Sequence, residues 1–113
     1  MNKVSVTSVT RGLLAKANAA SAGRSAETVY GGHEHVLRQS VVVLCAHRGQ
    51  HEHVLNGEGT IYVLSGRVRL HVGSQVWDAR TGDLLALPSA KHSVEALEDS
   101  AVLVTVAMPN PGG

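Results

Sequence analysis

His51-Glu52-His53-Val54-Leu55-Asn56-Gly57-Glu58-Gly59-Thr60-Ile61-Tyr62-Val63-Leu64-Ser65-Gly66 is the stretch from which the rest of the chain can be read. Two histidines stand two residues apart, a glutamate follows five residues later, and a β-rich run closes on a glycine turn. Alternate side chains of a strand point the same way, so His51 and His53 share a face. Neutral imidazoles on one face are natural ligands for zinc, iron, manganese, copper or nickel. Glu58 offers a hard oxygen after the turn Leu55-Asn56-Gly57. A further imidazole comes much later, in Gly82-Asp83-Leu84-Leu85-Ala86-Leu87-Pro88-Ser89-Ala90-Lys91-His92.

Outward from this stretch, the chain is a succession of short β-rich segments broken by glycine turns. Glu27–Tyr30 is followed by the turn Gly31-Gly32 and then by a long extended run, Val36–Ala46. The continuous Val-Leu portion of that run predicts burial on both faces. Thr60–Leu64 is a strand and Ser65-Gly66 a tight turn. Val68-Arg69-Leu70-His71-Val72 alternates as a half-buried strand, with Arg67, Arg69 and His71 on a solvated face. Val76–Arg80 pairs back after Gly73-Ser74-Gln75, with Trp77 part-buried. Leu84–Leu87 ends at Pro88, and His92–Ala96 and Ala101–Ala107 are the last two strands. Strands at this spacing predict an all-β sandwich or closed barrel.

Before the strands, Arg11–Ala20 predicts a short helix, capped by Ser8 or Thr10 and ended by Gly23. Its apolar stripe of Leu13, Leu14, Ala17 and Ala20 belongs on the outside of the barrel or at a dimer contact. Met1–Val9 reads as a tail or an exchanged edge strand. The expected division is a tail and helix over 1–26, a β-barrel over 27–108 and a loose tail over 109–113.

The chain of 113 residues fits one domain with one core. A formal net charge of +1 gives no footing for a nucleic acid or a membrane surface as partner. Phe is absent and only two Tyr and one Trp occur, which disfavours an aromatic stacking pocket. The lone Cys45 excludes an intrachain disulfide and reads as a buried thiol. No apolar run reaches membrane-spanning length and no signal peptide is read, so a cytoplasmic protein is expected.

The two histidine-bearing stretches resemble the motifs of the cupin superfamily, and the resemblance runs from about Val29 to Ala107. The His-x-His is intact, as are Gly82, the five-residue gap and Pro88. Tyr62-Val63-Leu64-Ser65-Gly66-Arg67 and Gly82-Asp83-Leu84-Leu85 are similar to the small single-domain bacterial cupins. Three features depart from the pattern. The usual glutamate position is Gly59, with Glu58 one residue early; on a regular strand that offset sends the side chain to the other face, and only a bulge around Gly57–Gly59 returns it. Pro88 to His92 is one residue short, with Ala90 where glycine is usual. Gly49 lies too close to His51 to be the first motif's opening glycine.

The resemblance implies a double-stranded β-helix, a jelly-roll barrel holding one divalent transition metal ion per chain (Fe, Mn, Zn, Ni or Cu) on His51, His53, Glu58 and His92. The three imidazoles with an open position suit a catalytic metal. Gln39, His47, Tyr62, His33 and His35 are further candidates for the pocket. The implied activity is oxygenation, isomerisation or decarboxylation of a small polar or organic-acid molecule. A non-enzymatic ligand-binding or sensing module is the alternative. Sheet edges that need cover, and the habit of related cupins of pairing sheets, predict a homodimer.

Overall fold

In the computed structural model, residues 3–48 and 52–107 are described. Two antiparallel sheets face one another. The larger has strand order β1 (Arg24–Gly31), β2 (Leu37–Leu44), β9 (Ser100–Ala107), β4 (Glu58–Ser65), β7 (Leu84–Leu87). The smaller is ordered β3 (Glu52–Val54), β8 (Lys91–Ala96), β5 (Arg67–Val72), β6 (Gln75–Arg80). This is the all-β sandwich that the glycine-punctuated sequence predicts, in the jelly-roll form that the family resemblance implies, with one helix, α1 (Val6–Ala19), added.

Strand β2 lies between β1 and β9 and is buried on both sides. Val42 packs between the sheets with Ile61, Val63, Val68, Ala79 and Val102. Val41 and Val43 point the other way and pack with Leu13, Ala17, Cys45 and Ala101. The unbroken apolar run is therefore explained by two different covers. The facing sheet takes the even residues and α1 takes the odd ones. The helix thus lies outside the barrel, as expected.

The helix is longer at its start than its composition predicts. It begins at Val6, with Ser5 as N-cap: Ser8 N–H donates to Ser5 Oγ at 3.2 Å. Ser8 and Thr10 are inside it, and the segment expected as a tail or exchanged strand forms its first turns. The physical reason is tertiary: Val6 and Val9 add to the apolar cluster that Leu13 and Ala17 occupy, which outweighs their modest helix propensity. Leu14 stays largely exposed. Arg24 and Ser25, expected in the segment before the barrel, already belong to β1. The C-terminal tail lies outside the described residues.

The outer face of the smaller sheet is more ordered than a merely solvated one. Arg69 donates to both carboxylate oxygens of Asp78, at 2.6 and 3.1 Å. His71, expected to face solvent, is half-buried, with Nε2 2.9 Å from Glu95 Oε1. Trp77, on edge strand β6, is 45% exposed.

Leu13→Ala should lower stability by about 2–4 kcal/mol through the cavity it leaves, whereas Leu14→Ala should stay within about 0.5 kcal/mol. Thermal unfolding of the two variants checks this, and equal losses would contradict the assignment of the buried face. The hydrogen bond from Arg69 is the main reason that Asp78 titrates below its ordinary value. A depressed carboxylate contributes stability above its unfolded pKa and loses it as pH falls through the folded one. Asp78→Asn should therefore be slightly less stable than wild type at neutral pH. The two should converge in acid, as read from urea midpoints.

Candidate functional site

The two sheets enclose a cavity of about 360 Å³. The larger sheet contributes Ala26 and Thr28 from β1 and Arg38, Ser40, Val42 and Leu44 from β2. Valines of β9, Ile61 and Leu87 continue this wall. The smaller sheet contributes His53 and Val54 from β3 and His92 and Val94 from β8. Among the described residues, no carboxylate and no Phe, Tyr or Trp lines it.

His53 and His92 are direct partners in the β3–β8 ladder. Opposed residues of an antiparallel pair carry their side chains on the same face, so both imidazoles look into the cavity. Their ring centres are 6.2 Å apart with planes tilted by 38°. His92 is buried, and its Nδ1 sits 3.0 Å from the Ala90 carbonyl oxygen. A carbonyl only accepts, so Nδ1 carries a proton, and in the neutral ring Nε2 keeps its lone pair. His53 is exposed, and its Nε2 lies 3.4 Å from Arg24 Nη1. A guanidinium only donates, so this Nε2 is an acceptor. Arg24 belongs to β1, the edge of the larger sheet, and His53 to β3, the edge of the smaller one. Their contact spans the seam between the sheets.

The other candidate residues lie elsewhere. Glu58 opens β4 in continuous register, Glu58↔Ala107 through Val63↔Val102, with the irregularity only beyond Val63. No bulge returns its side chain to the cavity. Ile61 and Val63 face inward, so Glu58 shares the outer face with Thr60 and Tyr62. Gly59 holds the inward position, where a Cβ would come within 2.8 Å of Leu55 Cδ2 and 3.2 Å of Leu87 Cδ1. Gln39 is on the outer face of β2, its amide donating to Thr105 Oγ1 at 3.2 Å. His33 and His35 occupy the tip of the β1–β2 hairpin, where His35 stacks edge-on with Tyr30. His47 lies in a turn with φ 54°. His51 lies outside the described residues.

Arg24, Arg38, Thr28 and Ser40 are the cavity's polar residues that sequence reading passes over. The apolar run Val41–Cys45 conceals which parity faces in, and a one-residue choice exchanges Gln39 for Arg38 and Ser40. The signal was Val42: once it is assigned to the core between the sheets, Arg38, Ser40 and Leu44 must follow it.

The family resemblance points to a metal ion, and the described residues fit one in part. They bring two imidazoles to one wall, one of them oriented by a backbone carbonyl as metal-ligating histidines usually are. Among the described residues no group of three His, Cys, Asp or Glu could hold an ion. His51 is the residue the sequence offers as a third ligand. Nitrogen NMR should find the neutral His92 ring as the Nδ1–H tautomer; an Nε2–H ring would remove the Ala90 bond and the orientation it gives.

A family profile described as "Cupin domain" matches residues 40–108. Among solved structures, a conserved protein of unknown function from Streptococcus pyogenes superposes with a TM-score of 0.68 at 19% identity, covering 77% of this chain and 75% of that one. A cupin superfamily protein from Desulfitobacterium hafniense gives 0.67 at 15% identity, covering 75% and 77%. An HTH_3 family transcriptional regulator from Vibrio cholerae gives 0.67 at 20% identity, covering 77% of this chain but 52% of the regulator. At such identities the likeness is one of fold. No curated protein matches the chain. With the motif-bearing stretches, two facing sheets and a profile match over more than half its length, the chain belongs to the cupin family.

Proposed function

We propose that this cupin binds a compact small molecule inside its barrel. The ligand's aliphatic body lies against the valines and leucines of the larger sheet, and its polar end lies near His53 and His92. The observation that carries this reading is the cavity itself. At about 360 Å³ it has the size of a small-molecule site, with a mostly apolar wall and a few convergent polar groups.

A second reading is favoured by the orientation of His92. With Nδ1 committed to Ala90, Nε2 is presented as a ligand. On this reading His53, His92 and His51 hold one divalent transition metal ion. Glu58, on the outer face of β4, takes no part. A bound ion would supply Lewis acidity to an oxygen of the substrate, and oxygenation, isomerisation or decarboxylation of an organic acid is the class of reaction the family resemblance suggests. The chain's own contribution is to orient the imidazoles and to surround the reacting molecule with apolar side chains.

A homodimer in the cytoplasm completes the proposal. The support for the dimer is the outer face of the larger sheet, where Tyr62 and its ladder partner Leu84 are 41% and 63% exposed.

Elemental analysis of protein prepared without an affinity tag should find about one transition metal ion per chain. The His53→Ala/His92→Ala double variant should lose it while melting cooperatively; full metal content in that variant refutes the metal reading. For the cavity, 1-hexanol should raise the melting temperature of wild type and not of Val104→Phe, which fills the space. An equal rise in both would place the ligand elsewhere.

A further inference from the structure

We infer that the cavity selects aliphatic monocarboxylates, with the carboxylate seated on the Arg24 guanidinium where it meets His53. This rests on the ligand-binding reading above and adds the chemistry of the ligand's head group.

Arg24 and Arg38 both line the cavity, toward opposite ends of the β1–β2 ladder, since Arg24 pairs with Leu44 and Arg38 with Gly31. Neither has a carboxylate within ion-pair distance among the described residues, where the ion pairs are Arg69–Asp78 and His71–Glu95. No Asp or Glu among the described residues lines the cavity. Two permanent positive charges therefore face a largely aliphatic space without a counter-charge from its described wall. An anion entering that space is attracted more strongly than it would be in water, because the surroundings have a low dielectric.

Arg24 is the better seat of the two. It is half-buried, whereas Arg38 is exposed. Its one side-chain hydrogen bond among the described residues is the long contact from Nη1 to His53 Nε2. A guanidinium carries five N–H donors in a planar fork, so most of that capacity is available to a ligand. Its edge matches the two oxygens of a carboxylate. A phosphate monoester carries a larger charge and more acceptors, whereas the other polar groups of the larger-sheet wall are the exposed Arg38 and the hydroxyls of Thr28 and Ser40, already 3.2 Å from each other. The rest of the wall, free of Phe, Tyr and Trp among the described residues, fits an aliphatic body. The Arg24 guanidinium and a metal ion would both need the His53 Nε2 lone pair, so the Arg24–His53 contact and metal binding compete at this atom.

The test is titration of the full-length, chelator-treated protein with four six-carbon probes: hexanoate, 1-hexanol, hexylamine and hexyl phosphate. Hexanoate should bind about tenfold or more tightly than 1-hexanol, the scale of one charge-assisted hydrogen-bonded pair, and hexylamine weakest. Arg24→Gln should cost hexanoate at least that tenfold and leave 1-hexanol unchanged, with Arg24→Lys between. Equal binding of hexanoate and 1-hexanol, or indifference of hexanoate to Arg24→Gln, overturns the carboxylate seat while the cavity reading stands. Tighter binding of hexyl phosphate overturns it in favour of a phosphoryl head. Binding of none of the probes overturns the seat and the cavity reading together.

Discussion

The fold depends on strand β2 being covered on both faces. Its ladder with β9 is continuous from Leu37↔Ala107 to Leu44↔Ser100, and a strand so paired has no freedom to rotate one set of side chains away from its cover. Odd residues must meet α1 and even residues must meet the space between the sheets. The period of two is strict, so burial of Val41 and Val43 under the helix fixes Arg38 and Ser40 on the cavity wall. The helix is thereby linked to the site without touching it. It holds the outer valines, and the ladder carries that constraint to the inner side chains.

The second consequence of the two-sheet design is the seam between edge strands β1 and β3. Edge strands leave backbone groups unpaired, and side chains at their margins are free to reach across. Arg24 does so toward His53. This puts a permanent cation next to an imidazole in the region where the family usually gathers metal ligands. It is also why the electrostatics of this cavity are positive although the whole chain carries a formal charge of only +1. The acidic groups that balance the total lie outside the cavity, Asp78 and Glu95 among them on the outer face of the smaller sheet.

The similar structures illustrate how little the barrel alone decides. One belongs to a protein of unknown function and another to a transcriptional regulator that is about twice the matched length. A shared fold leaves the side chains of the inner wall free to vary. Here Gly59 occupies the inward position at the start of β4, and Leu55 and Leu87 close over it. An apolar contact therefore fills the place where a carboxylate would otherwise enter.

The order of strands, their glycine turns and the family were legible in the sequence, because alternation and turn chemistry are local properties of neighbouring residues. The two motifs pointed to His53 and His92 as members of one site; that they are ladder partners is seen only in the structure. Glu58 illustrates the limit. Its one-residue offset was visible, but whether a bulge corrects it depends on the ladder with β9, which only tertiary pairing establishes. The inward face of β2 was hidden for the same reason, since a run apolar on both sides has no parity until its covers are known. Arg24 fell in the segment placed before the barrel because its role arises from a contact 29 residues distant in the chain. Local patterns specified the strands; the meeting of the sheets decided which side chains share a cavity.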